Sequence, residues 1–184
     1  MKSFKGSFLI ASPHLEDPNF RRSVVLIMEH NAEGAFGLVL NRPASASVKE
    51  FWSELEQERA NAEGPIYLGG PVEGPIICIH DVSAWTEGEI VPGVFVAVRR
   101  ELVRKLVTGI AHTLRLYVGY AGWGPLQLEN ELEAGGWLTM PASREFIFHD
   151  DSAQLWHQSI RATGRQMYRD ILGIEWFPED PTRN

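Results

Sequence analysis

Apolar and polar positions change rhythm several times along this chain, and each change marks an element. Ser7-Phe8-Leu9-Ile10-Ala11 is a short apolar run that Pro13 stops. Asp17-Pro18-Asn19 then carries turn chemistry, because proline presets φ and Asp and Asn side chains bond locally to the backbone. Residues 23–29 are rich in β-branched and long aliphatic side chains. Asn31-Ala32-Glu33-Gly34 reverses the chain, and residues 35–40 run apolar again to Asn41-Arg42-Pro43. Two apolar runs around a short Gly-containing loop predict a β-hairpin. Over residues 48–60, Val48, Phe51, Trp52 and Leu55 recur three and four apart behind Ser47, which predicts an N-capped helix with an acidic outer face.

Residues 66–68 and 76–80 read as strands around the glycine-rich Gly69-Gly70-Pro71-Val72-Glu73-Gly74, and residues 94–98 as another. Residues 101–110 place Leu102, Leu106 and Ile110 on one stripe with Val103 and Val107 beside it, an amphipathic helix. Residues 114–120 return to strand and enter Gly119-Tyr120-Ala121-Gly122-Trp123-Gly124-Pro125, where tight turns are expected. A short helix over 126–134 is closed by Gly135-Gly136, residues 145–148 read as strand, and residues 152–163 as a helix. Asp150-Asp151 before that helix and Gly164 after it suit capping and the helix dipole. Strands and helices alternate without a βαβ rhythm, so the class is α+β. No repeat, low-complexity tract or linker divides the chain, and residues 1–184 read as a single domain.

Composition narrows the setting. The chain has 184 residues, 44% apolar and 22% charged, enough to bury a proper core without disulfides. Its one cysteine, Cys78, sits in the apolar run Ile76-Ile77-Cys78-Ile79, which suits a reducing compartment and a buried thiol. There is no signal-peptide pattern and no apolar run of about 18 residues, so a cytoplasmic protein without a membrane span is expected. A net charge of −7 disfavours non-specific attraction to phosphate backbones.

Five segments carry a resemblance. They are Gly6-Ser7-Phe8-Leu9-Ile10-Ala11-Ser12-Pro13 leading to Asp17-Pro18-Asn19-Phe20-Arg21-Arg22-Ser23; Glu29-His30 with Gly34-Ala35-Phe36-Gly37-Leu38-Val39-Leu40-Asn41-Arg42-Pro43; Tyr67-Leu68-Gly69-Gly70-Pro71-Val72; Gly119-Tyr120-Ala121-Gly122-Trp123-Gly124-Pro125-Leu126-Gln127-Leu128-Glu129; and a tail with Trp137, Phe148 and Leu155-Trp156. In order and spacing the chain resembles the AlgH/YqgE-type family of bacterial proteins, whose members have no established function. The resemblance implies a large mixed sheet that bifurcates and curls toward a pseudo-barrel, with flanking helices. Some members are labelled transcriptional regulators without a mechanism, and no catalytic residue is carried over.

Read as chemistry, the motifs give candidates and no reaction. Arg42 can grip a carboxylate or phosphate and Asn41 can read an amide, although a turn bond and an ion pair explain them as well. Gly69-Gly70-Pro71-Val72 permits close backbone approach, as anion nests do, but it lacks a Walker fingerprint. Gly119 to Gly124 has GxxGxG in the wrong order for a dinucleotide site, so tight turns and bulges explain both loops as well. Trp123 between two glycines could stack on a ligand or pack across the sheet. Six histidines are scattered, none in HExxH, so no metal or cofactor is expected. No GxSxG elbow is present, and no basic arm or helix-turn-helix pattern. Arg99-Arg100 with Arg104-Lys105 is the densest basic cluster. The reading that follows is a non-enzymatic binding or regulatory module, in which Asn19, His30, Asn41, Arg42, Gly69, Gly70, Gly122, Trp123 and Gly124 gather at strand-end loops around a groove for a protein segment or small anion. The alternatives are an enzyme of undetermined class using the same groove, with His30 or Glu29 titrating, and a nucleic-acid-binding regulator.

Overall fold

A computed structural model describes residues 3–109 and 113–172. The chain runs β1 (Ser7–Ala11), β2 (Val24–Asn31), β3 (Gly34–Val39), β4 (Pro43–Ser47), α1 (Val48–Glu56), β5 (Pro65–Leu68) and β6 (Ile77–His80). It continues through β7 (Gly88–Val91), β8 (Val94–Ala97), α2 (Arg100–Thr108), β9 (Leu114–Val118), β10 (Ala121–Trp123) and α3 (Gln127–Glu133). β11 (Trp137–Pro141), α4 (Arg144–Ile147) and α5 (Ser152–Leu172) complete it. No helix among the described residues is long and apolar enough to cross a membrane.

The predicted hairpin forms as β2–β3, with Asn31 opposite Gly34 and the Asn31 side chain accepting from Glu33 N at 2.8 Å. It sits inside an antiparallel sheet of order β10-β3-β2-β1-β11. The second sheet, β4-β5-β9-β6-β8-β7, is mixed, since β5 and β9 run parallel. The chain passes from the first sheet to the second between β3 and β4 and returns between β9 and β10, which makes the bifurcation. Side chains of the second sheet alternate strictly. Ile66, Cys78 and Leu116 pack under α1 and α2, whereas Tyr67, Ile77, Ile79 and Tyr117 join the core of the first sheet.

The first sheet is strongly curled. Trp123 is in register with His30 through Ala35, and Trp137 with Ser23 through Ala11. In a flat sheet their strands would be about 19 Å apart across four spacings and offset about 23 Å along the strands. The two indole rings are instead 6.0 Å apart, with Phe20 against both. The two edge strands therefore meet through side chains, and no backbone ladder closes a barrel.

Several local expectations are corrected. Residues 145–148 are not a strand; α4 is a helical turn, because the Ser143 hydroxyl accepts from Phe146 N and starts it. α5 passes through Gly164 rather than stopping there, with the Thr163 hydroxyl donating to Ser159 O at 2.9 Å. α1 ends earlier than expected, where Gln57 takes φ 53. Ser47 does cap it, in a reciprocal box with Glu50. β4, β7, β10 and β11 were not legible as strands: three are four or five residues of mixed polarity, and the three-residue β10 lay within the presumed turns. Ile110, expected to close the α2 stripe, lies outside the described residues.

Where the sheets fork, chain segments pass with no room for side chains. A Cβ on Gly70 would lie 2.2 Å from the Tyr120 carbonyl carbon, and one on Gly69 2.3 Å from Gly119 O. Gly70→Ala should lower stability by about 3 kcal/mol or more in urea unfolding, since backbone must separate to admit the methyl. Gly64→Ala, where a Cβ meets nothing within 4 Å, should cost only about 1 kcal/mol for its positive φ.

Candidate functional site

The nine candidate residues do not share one groove. Asn41 and Arg42 follow β3 at the open end of the hairpin. The Asn41 side chain accepts from Val24 N at 3.0 Å and donates to Arg22 O at 2.9 Å, so it ties the two hairpin strands together. Arg42 Nη2 donates to Arg21 O at 2.7 Å, while its buried Nε has no partner. The expected ion pair is absent, as Arg21, Arg22 and Arg42 form none among the described residues. Gly69 and Gly70 adjoin this corner: Leu68 N donates to Arg42 O, Val39 N to Gly69 O and Gly69 N to Val118 O, each at 2.8 Å. With its amide so engaged, Gly69 serves chain crossing and forms no anion nest. Asn19 is exposed in an Asx turn on Asp17, in the loop that brings Phe20 to the tryptophans and Arg21 to Arg42.

His30, Trp123 and Gly124 lie at the other end of the hairpin, roughly 20 Å along β2. His30 is buried, stacked on Phe4, and both ring nitrogens are engaged. Nδ1 accepts from Phe4 N at 3.1 Å, which makes Nε2 the protonated nitrogen in the neutral ring and directs it at Glu129 Oε1, 3.0 Å away. Such a histidine has no lone pair to offer a substrate. Glu29 is exposed nearby, in the wall of a shallow hollow of about 190 Å³ with Glu33, Phe36 and Trp123. Gly122 is an exposed strand residue opposite Phe36.

Trp123 is not on an exposed loop. It is a buried strand residue whose indole N–H donates to Glu131 Oε2 at 2.9 Å, and Trp137 donates to the same oxygen at 2.8 Å. Gln127 Nε2 donates to Glu131 Oε1 at 2.9 Å and its Oε1 accepts from Gly124 N. Sequence reasoning missed Glu129 and Glu131. On a seven-residue helix of acids nothing in periodicity separates a solvated carboxylate from one that clasps two indoles.

Other candidate chemistry is accounted for structurally. The three arginines of the densest basic cluster are paired within the chain: Arg99 with Glu87, Arg100 with Glu56 and Arg104 with Glu58. The Arg104 hydrogen bond holds the Glu58 carboxyl below its usual range. Asp151 caps α5 through Ala153 N and Gln154 N, and His149 Nδ1 accepts from Asp151 N. Among the described residues no three His, Cys, Asp or Glu side chains converge on a metal geometry.

A family model described as AlgH-like matches residues 8–168. The chain belongs to the AlgH-like family. A UPF0301 protein of Myxococcus xanthus is 39% identical over 94% of this chain and 98% of its own length. One from Streptomyces coelicolor is 33% identical over 100% and 97%. The solution structure of the AlgH protein from Pseudomonas aeruginosa is similar with a TM-score of 0.72 and 28% identity, covering 97% of this chain and all of that one. A crystal structure of a protein from Corynebacterium diphtheriae, 23% identical over 88% of each chain with a TM-score of 0.71, shares the fold. The glycine-tryptophan stretch around Trp123 is occupied largely by the Glu131 clasp.

Two outcomes follow. Glu131→Ala leaves two indole donors unmet, so it should cost about 2–4 kcal/mol in denaturant unfolding and shift tryptophan emission to the red. Cys78 is fully buried and burial pushes its thiol far above the ordinary range. Iodoacetamide should therefore leave native protein unmodified by mass spectrometry and label it once unfolded.

Proposed function

We propose that this AlgH-like protein is a non-catalytic binding module whose working surface is the Asn41–Arg42 corner. Its partner there carries negative charge, as a small anion or an acidic protein segment. One observation carries the reading. Arg42 is half-buried beside Arg21 and Arg22, and none of the three has a carboxylate partner among the described residues, although the chain carries a net −7. Arg99, Arg100, Arg104 and Arg144 are each matched by an acid, whereas Arg115 and the exposed Arg59, Arg161 and Arg165 have no ion pair among the described residues. What sets Arg42 apart from these exposed three is its half-buried place beside two further arginines. Arg22 also holds φ at 55, a conformation that costs a non-glycine residue about 1–2 kcal/mol and persists where the surroundings impose it.

The scaffold suits that role, since strand-end loops on a rigid sheet are where binding groups are commonly placed. A regulatory effect would then come from occupancy of the corner rather than from chemistry. An enzyme built on His30 finds little support, because both ring nitrogens are engaged. Nucleic-acid binding is weaker still, with the three arginines of the larger basic cluster already paired. A buried free thiol, with no helix among the described residues long and apolar enough to span a membrane, is compatible with a cytoplasmic setting.

A thermal-shift screen of nucleotides, polyphosphate, citrate and acidic peptides tests this, with Arg42→Ala and Arg104→Ala alongside. A ligand at ~100 times its Kd adds about 2.7 kcal/mol, roughly 5–10 °C for a domain of this size. The shift should vanish in Arg42→Ala, survive in Arg104→Ala and shrink as salt rises. A hit that Arg42→Ala retains, or a flat screen, would remove the corner as the working surface.

A further inference from the structure

Arg115 lies on β9 with 8% of its surface exposed. A guanidinium keeps its charge at any pH at which proteins fold, so burying one demands compensation. Here the compensation is partial. Nη2 donates to the His149 carbonyl, and the guanidinium carbon lies 5.0 Å from the Tyr67 ring centroid. Nη1 is buried without a hydrogen-bond partner, and no carboxylate among the described residues pairs with the group. The Tyr117 hydroxyl is itself buried beside the same guanidinium, which opposes the rise that burial gives it.

Arg115 forms part of the wall of a cavity of about 240 Å³, together with Tyr67, Leu114, Phe148, Glu63 and Asp150. Glu63 is answered from outside by Lys49, 2.6 Å away. Asp150 is exposed and makes no ion pair among the described residues. The cavity wall therefore holds an incompletely compensated cation, Arg115, and an acid without an ion pair among the described residues, Asp150, together with aromatic and aliphatic side chains. It is smaller than the roughly 300–1,000 Å³ of drug-sized pockets, which limits an occupant to a few heavy atoms.

We propose that this cavity binds a small zwitterion of the free amino-acid class, its carboxylate engaging Arg115 and its ammonium facing Asp150. Charge selects the class. A phosphate dianion would meet the Asp150 carboxylate on a protein of net −7, and a simple cation would meet a buried arginine. A ligand with one charge of each sign satisfies both, and a short aliphatic side chain fits Leu114 and Phe148. The site is separate from the Arg42 corner and does not depend on that reading.

An NMR titration of the full chain decides it. The probes are L-alanine, L-serine and L-valine, with acetate and ethylamine as the two halves of the ligand. At least one amino acid should shift the Arg115 Nε–H and Leu114 and Phe148 amide signals saturably, with a Kd at least tenfold below that of either half. Arg115→Met should abolish the response. Asp150→Asn, an exposed change that leaves the core intact, should reduce amino-acid affinity to that of acetate. Should Arg115→Met fail to fold, the parent and Asp150→Asn titrations still decide. No saturable shift with any of the three amino acids, or an unchanged response in either folded variant, would overturn the proposal.

Discussion

Chain segments pass one another at Gly69 and Gly70 at distances that leave no room for a side chain, and both sheets depend on that crossing. β3 leaves the first sheet, β5 ends, and β9 hands over to β10, all within backbone hydrogen-bond reach. Because Val39, Leu68 and Gly69 donate across the crossing, and Val72 and Tyr120 exchange two further bonds, the fork leaves these amides satisfied although it lies between regular ladders. That saturation lets one apolar core serve both sheets, with Tyr67 and Tyr117 of the second packed into the cluster around β1 and β2. It also holds the Arg42 carbonyl through Leu68, so the corner residues project from a fixed support.

A second constraint is the curl. Two edge strands that share no ladder would splay apart unless something else held them. Here α3 supplies two carboxylates. Glu131 takes an indole N–H from each edge strand, and Glu129 takes the His30 ring N–H at the hairpin tip. Hydrogen bonds to a charged acceptor are stronger than neutral ones, and half-buried carboxylates without such donors would destabilise the helix that carries them. The distinctive glycine-tryptophan stretch is therefore explained by closure of the sheet. Its family-like residues are a weak guide to reactivity for that reason.

How far the sequence could be read follows from how local each signal is. The β2–β3 hairpin, the Ser47 cap and the amphipathic stripe of α2 were legible, because periodicity and capping act within a few residues. β10 and β11 were not, since a strand of three or five residues earns its place by pairing with partners far along the chain. α4 misled because Phe146 and Ile147 look like strand until Ser143 is seen to cap a turn. At the site, Asn41 and Arg42 were recognised by residue type. Arg115 was not, because an arginine in an apolar strand reads as an outward-facing residue, and only the segment between α4 and α5, through the His149 carbonyl, meets it.

Unpaired arginines carry more meaning here than they would in a basic protein. The chain has 24 acids against 17 lysines and arginines, so a missing partner does not reflect a shortage of carboxylates. Where an arginine serves the fold, as Arg100 and Arg104 do between α1 and α2, an acid stands within reach. Among the described residues Arg42 and Arg115 lack one, and each keeps a buried nitrogen without a hydrogen bond. A methionine at either position would avoid the cost of desolvating charge. An arginine in both places is readily understood if the missing acceptor arrives with something else: an anionic group at the open corner, and a small carboxylate in the cavity beside Arg115.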